Sequence, residues 1–319
     1  MLHSFYSEKF KLCQAVTALA VIAFFRTACA DGNGLILSLD GGVVGLGMTE
    51  PMELRSEKQG NITLSVSHGA EHIIILENVE GVTNKVVLPK TWQVGEESFA
   101  PNLFVQGVSL SGDDTVGDTV LMAVFDDGGE KQSVELALTV VSCSVTIWSR
   151  QPGGAGSREA VFWKPGGLPD IGHAGWRFSC SHPKALPAEL REFVNVSCGF
   201  MRGNSRMSFV GALTSAPGLF VMPDSGEAKA TASYTKDISP GALISGLRYN
   251  AGLHTNPGDY NPNTRNCADA AIAAGEAAGL IVPKTIGTWM FGGRGANPGD
   301  LGEDLRALES AETKKPDEF

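Results

Sequence analysis

Short runs in which apolar and polar residues alternate fill the chain from Asp31 to about Thr146: Ile62 to Val66, His72 to Leu76, Lys85 to Leu88, Leu103 to Val108, Val120 to Phe125 and Val134 to Val141. An alternation of period two puts every second side chain on one face of a strand. Gly, Asp and Asn recur between the runs, and Asp126-Asp127-Gly128-Gly129 has the residue types of a tight hairpin turn. About seven such strands rich in Val, Ile, Thr and Leu predict an all-β immunoglobulin-like sandwich over residues 31–146.

The pattern then changes. Trp148 to Gly156 (WSRQPGGAG) is rich in Pro and Gly and reads as a linker, placed at 147–159. Beyond it, Ala160 to Lys164, Ile171 to Cys180 and Ala230 to Ile238 read as strands, and Pro187 to Val194 as a short helix. Pro240 to Leu253 and Asn266 to Gly279 read as longer helices. In the last of these Asn266 is the N-cap, Asp269 lies in the first turn, and Gly279 followed by Pro283 ends the element. Its face of Ala268, Ala271, Ile272, Gly275 and Gly279 carries small side chains, which lets a helix lie close against a sheet. The expectation for residues 160–319 is an α+β domain.

Lys9 and Lys11 precede an apolar run, LCQAVTALAVIAFF at 12–25, and Ala28-Cys29-Ala30 puts small residues where a signal peptidase reads. Residues 1–30 are therefore expected to be a secretory signal peptide, and the apolar run is shorter than the roughly 20 residues that cross a bilayer. A secreted or periplasmic location follows as an expectation, with an oxidising environment for Cys143, Cys180, Cys198 and Cys267. Cys180 and Cys198, close in sequence, are the easiest pair, leaving Cys143 and Cys267.

Composition narrows the classes. The chain has 319 residues, 43% hydrophobic and 19% charged, with 39 Gly and 16 Pro, which disfavours both disorder and long helical bundles. A formal net charge of −10 would repel phosphate backbones, so no nucleic-acid partner is expected. No cofactor or metal motif stands out. His68 and His72 share a strand face only loosely, and Asp113, Asp114 and Asp118 lack the spacing of a calcium loop.

The chemistry concentrates on two residues. Cys267 is the first residue inside the 266–279 helix, where free N–H groups and the positive end of the macrodipole favour a thiolate. His173 shares a strand face with Ile171, Gly175, Arg177 and Ser179, and Gly172 and Gly175 are expected to keep the space around its ring open. A cysteine at a helix start facing a histidine on a central strand is an arrangement for nucleophilic attack on a carbonyl. Read singly, Cys267 is equally a disulfide partner or a small buried hydrophobe, and His173 a strand histidine bonded to a backbone carbonyl. Other signals are weaker. Pro223-Asp224-Ser225-Gly226 brushes the Gly-Asp-Ser-Gly of serine proteases by chance, Gly292 to Gly299 reads as a loop lining the cleft, and the charged tail from Glu303 to Phe319 is expected to fray.

Gly172-His173-Ala174-Gly175-Trp176, followed some ninety residues later by Asn266-Cys267-Ala268-Asp269, resembles the circularly permuted branch of the NlpC-type papain-fold superfamily. In that branch a G-H-x-G strand motif precedes an N-C helix motif, whereas in unpermuted members the Cys helix comes first. The segment Val282 to Arg306 is similar to a group of secreted bacterial proteins bearing this permuted domain. The resemblance spans roughly residues 160–306, and its two short motifs carry the specificity. It implies a papain-like thiol hydrolase or acyltransferase acting on an amide or ester bond, with Cys267 as nucleophile and His173 as base. Cell-wall peptides, lipid acyl groups and protein isopeptides are substrates within the superfamily; a cell-wall peptide amide is the first expectation here, with peripheral contact to the cell envelope. The third polar group that such sites carry is open between Asp237, His182 and Ser233, and Tyr260 and Tyr249 are candidate oxyanion donors. The competing expectation is a non-catalytic exported binding or adhesion module with Cys267 held in a disulfide.

Overall fold

The computed structural model describes residues 26–30 and 34–314, apart from 96–98, 113–115, 130, 166–168, 204–214 and 289–293. The chain divides between Val141 and Ser142 into two compact units, a β-rich unit followed by an α+β unit. Among the described residues no helix is long and apolar enough to cross a membrane. The apolar segment of the expected signal peptide lies outside the described residues.

The first unit contains β1 (Arg26–Ala30), β2 (Leu35–Asp40), β3 (Val43–Gly45), β4 (Thr49–Ser56), β5 (Gly60–His68), β6 (Ile73–Val79), β7 (Val82–Lys85), β8 (Lys90–Val94), β9 (Leu103–Gly107), β10 (Thr119–Asp126) and β11 (Lys131–Val141). They form two sheets, ordered β1-β2-β4-β9-β6-β7 and β3-β11-β10-β5-β8. The alternation seen in the sequence is the reason: Leu35, Leu37 and Leu39 of one sheet and Leu121, Ala123 and Phe125 of the other enter one shared apolar core. β1 pairs antiparallel with β2, so cleavage after Ala30 would remove this edge strand from its sheet. His68 is exposed, whereas the His72 Nδ1 and the Ser109 hydroxyl share a 2.9 Å hydrogen bond. Asp113 and Asp114 lie outside the described residues, and Asp118 accepts hydrogen bonds from Ser111 and Gly112.

The second unit starts earlier than the composition suggested. Strand β12 (Cys143–Arg150) runs through the segment assigned to the end of the sandwich and the start of the linker, with Trp148 fully buried. One residue separates β11 from β12, and that short joint carries neither Gly nor Pro. The Pro/Gly-rich stretch after it is held inside the unit: the side-chain amide of Gln151, 1% exposed, donates to Ser157 O, Gly299 O and Glu303 Oε1.

The remaining strands are β13 (Phe162–Trp163), β14 (Pro169–Asp170), β15 (His173–Cys180), β16 (Val196–Arg202), β17 (Ala216–Val221), β18 (Ala232–Asp237), β19 (Asp259–Tyr260), β20 (Gly287–Thr288) and β21 (Arg294–Gly295). Six of the strands form one sheet in the order β18-β12-β15-β16-β17-β19. The helices are α1 (Pro240–Thr255), α2 (Cys267–Ala277) and α3 (Pro298–Thr313). The segment 188–193 is a 3-10 helix, and the strand expected at 160–164 shrinks to Phe162 and Trp163. The charged tail expected to fray is helical as far as Thr313, capped by Asn297, whose side chain accepts from the Asp300 N–H.

Register assigns the faces of the six-stranded sheet. Val145 opposite Phe178 and Ile147 opposite Trp176 make an apolar face, and the helices lie on it. Gly246 of α1 sits against the Phe178 ring, and a Cβ at Gly275 of α2 would lie 2.5 Å from Ile147 Cδ1. The small-residue face of α2 therefore has the close approach to the sheet that the sequence suggested. The opposite face presents Trp148, His173, Gly175 and Arg177.

Candidate active site

Cys267 is 5% exposed and opens α2, which begins with a two-way cap. The Asn266 side chain accepts from the N–H groups of Ala268 and Asp269, and Asp269 accepts from the Asn266 N–H. Asn266 is itself fully buried, its amide donating to Pro262 O and Ala296 O at 2.8 Å each. The next N–H, that of Ala270, goes to Asn266 O. The backbone N–H of Cys267 stands outside this cap, at the positive end of the helix beside its own sulfur.

His173 is the first residue of β15, and its Nε2–H donates to Asp224 Oδ2 at 2.7 Å. Asp224 belongs to the turn after β17, and its side chain is 2% exposed. Its N–H is bonded to Ser197 O of β16, which lays the turn along the strand next to β15. Its second oxygen, Oδ1, accepts from the Gly226 N–H at 2.8 Å. The imidazole rests edge-on against Trp148, with 5.3 Å between ring centroids. With Nε2 committed to the carboxylate, Nδ1 is the ring nitrogen left over, and the Cys267 thiol is near enough to the imidazole to raise its pKa. Burial by itself pulls the imidazole pKa down, but the hydrogen bonds and charges of Asp224 and Cys267 outweigh it and hold the ring protonated up to about 10.

Two glycines make the room. A Cβ on Gly199 would overlap Asp224 Oδ2, and one on Gly226 would stand 2.6 Å from the Trp148 ring and 2.8 Å from His173 Cδ2. The glycines expected to do this do other work: Gly175 lies against Trp148 and the Cys198 carbonyl, and Gly172 has φ +68° where an added Cβ would strike Arg150 O.

Tyr260, 8% exposed on β19, has Cys267 as a neighbour near enough to shift its pKa. Burial and then the neighbouring sulfur raise its pKa, so it stays a phenol and a donor. Tyr249 is spent elsewhere, donating to Ala270 O at 3.2 Å.

The candidates for the third polar group are corrected. Asp237 pairs with Ser144 on β12, whereas His173 pairs with Arg150, six residues away or about 20 Å along the strand. Ser233 of β18 pairs with Trp148 of β12, so β12 lies between it and the histidine strand. His182 lies past the other end of β15, its Nδ1 sharing a hydrogen bond with Ser181 Oγ. Asp224 was missed because its Pro-Asp-Ser-Gly setting looks like turn chemistry, and it is indeed a turn: the Asp–Gly226 bond is an Asx turn. That this turn returns beside the histidine depends on the pairing of β15, β16 and β17.

The cysteine assignments change too. Cys143, Cys180, Cys198 and Cys267 are all free thiols. Cys198 pairs with Trp176 in register and takes a hydrogen bond from Asn250, so it does not meet Cys180. Burial pushes its thiol up to about 12, the state of an inert core residue. Of the glycine-rich stretch at 292–299, residues 292 and 293 lie outside the described residues, and Asn297 to Gly299 begin α3. Comparison of the sequence with models of protein families and with curated proteins gives no match.

Proposed function

We propose that the second unit is a thiol hydrolase or acyltransferase of permuted NlpC-type, papain-like architecture, preceded by an immunoglobulin-like unit that positions or tethers it. The observation that carries this is the chain of contacts Cys267–His173–Asp224, closed by a carboxylate with 2% of its side chain exposed. The Cys267 thiolate attacks the carbonyl carbon of an amide or ester, and the oxyanion is held by the Cys267 N–H and the Tyr260 hydroxyl. The His173 imidazolium gives its Nδ1 proton to the departing amine or alcohol, leaving a thioester and a neutral imidazole. Water, or an acceptor amine or alcohol, then loses a proton to Nδ1 as it attacks the thioester, and the thiolate is expelled. Asp224 keeps Nε2–H fixed throughout, so that Nδ1 is the nitrogen that exchanges protons. An exported site of this kind fits a cell-wall peptide amide as the first substrate to try.

The test uses the full chain and an acyl-type electrophile, with the adduct located by peptide mapping. Labelling is expected at Cys267, with Cys143, Cys180 and Cys198 unmodified. Equal labelling of the buried thiols, or none at Cys267, would sink the proposal. The oxyanion role has its own readout: Tyr260→Phe is expected to lower kcat by roughly 10²-fold or more while leaving KM nearly unchanged. A variant that turns over like the parent would remove the hydroxyl from the mechanism.

A further inference from the structure

The far end of the histidine strand holds a second arrangement of thiols, which does not depend on the catalytic reading. Cys143 opens β12 and Cys180 closes β15, and the two are direct partners across the antiparallel pair. Their sulfurs lie 3.9 Å apart. The backbone shows which kind of pair this is. The Cys143 carbonyl accepts from Ile238 N–H on the β18 side, and the Cys180 N–H and carbonyl both bond to the Asn195 side chain on the other flank. Neither residue therefore spends its main chain on the other, as in the non-hydrogen-bonded position of a ladder. There Cα atoms come to about 4.5 Å, inside the range of roughly 4.4–6.8 Å that a disulfide spans. Only side-chain rotation is needed to bring the sulfurs to bonding distance.

We propose that Cys143 and Cys180 are a redox pair that closes to a cross-strand disulfide by exchange with a small-molecule or protein disulfide, stapling β12 to the strand that carries His173. The two thiols are not equivalent. The Cys143 S–H and the His182 backbone N–H both point at the Cys180 sulfur, and these bonds lower the Cys180 pKa despite its burial, while Cys143 is raised. Cys180 is thus the attacking thiolate. It displaces one thiolate from the oxidant and forms a mixed disulfide. Cys143 then loses its proton to solvent and attacks the Cys180 sulfur, releasing the second thiolate, so that two protein thiols are oxidised and one disulfide is reduced to two thiols. Both side chains are at most 4% exposed, so exchange takes place during folding or local opening, and the closed bond is then shielded.

The full chain is incubated with oxidised glutathione in mild denaturant, returned to buffer, alkylated and digested without reduction. The expected product is one peptide pair joining Cys143 to Cys180, with Cys267 and Cys198 outside it. The oxidised chain should also melt roughly 5–10 °C above its reduced form, a difference that Cys143→Ser erases. Recovery of both residues as alkylated thiols, or a bond from Cys180 to Cys198, overturns the proposal. The mapping needs no variant, so it decides the matter even where the Cys143→Ser chain is unstable. It is also separate from the catalytic proposal, since Cys267 labelling can fail while this pair closes.

Discussion

Cys267→Ala is expected to remove all labelling by an acyl electrophile and to reduce turnover by at least about 10⁴-fold, with the thermal midpoint within a few degrees of the parent. The rate effect follows from losing the atom that forms the thioester, for which no neighbour substitutes. Cys198, the other thiol near the sheet centre, is fully buried and bonded to Asn250. The small stability effect follows from what holds α2 in place. Its start is fixed by the buried Asn266 and its reciprocal bonds with Asp269, and its body by Ala268, Ala271 and Gly275 against the sheet. A sulfur replaced by hydrogen leaves all of these. Calorimetry on the variant checks the point: an early transition, together with unchanged turnover, would mean that the thiol serves packing alone.

The two ends of the proposed triad were legible in sequence for a local reason. Asn266-Cys267-Ala268-Asp269 is a helix start whose N-cap and return bond lie within four residues, and the 2.0 period around His173 assigns its face without knowledge of any partner strand. Asp224 is different, because its role comes from a register in which Gly199 faces Gly175 and Val221 faces Gly199. Such pairing is set by contacts distant in sequence and leaves no mark on the residues beside the aspartate. The same distinction separates what was readable in the fold. Strands such as β5, β10 and β11 contain their expected runs, whereas β2 and β4 lie outside the runs named from the sequence, although Leu35, Leu37 and Leu39 of β2 alternate as cleanly. Strand β12 was divided between the sandwich and the linker because its apolar residues lie on both faces, Ile147 under the helices and Trp148 under His173, so alternation fails where the sheet is covered on both sides. Gly199 and Gly226, which give the His–Asp pair its space, could not be told from the other glycines among 39.

Asp224→Asn is expected to lower kcat/KM by roughly 10³–10⁴-fold, a larger loss than its near-identical shape suggests. Both carboxylate oxygens are acceptors here: Oδ2 takes the His173 Nε2–H and Oδ1 takes the Gly226 N–H. An amide has one acceptor and one donor group, so it cannot satisfy both. If its oxygen stays on Gly226, its NH2 faces Nε2 and selects the tautomer with the proton on Nδ1 and none on Nε2, which removes the base facing Cys267. If it flips, the half-buried Gly226 N–H meets a donor, and the turn that carries residue 224 loses its anchor. The pH dependence separates this effect from simple damage. In the parent, His173 has a folded-state pKa raised to about 10, above an unfolded value near 6.5. Its stabilising contribution, on the order of a few kcal/mol, is complete below about pH 6.5 and is lost as the pH rises through 10. The parent's alkaline activity limb belongs near the same upper pH. In Asp224→Asn the largest of the contacts that raise the pKa is gone, so the limb should move towards neutrality and the decline in stability between pH 6.5 and 10 should flatten. Rate profiles and urea unfolding at the two pH values read both. A variant within tenfold of the parent, with its alkaline limb unmoved, would show that the carboxylate neither orients nor charges the imidazole.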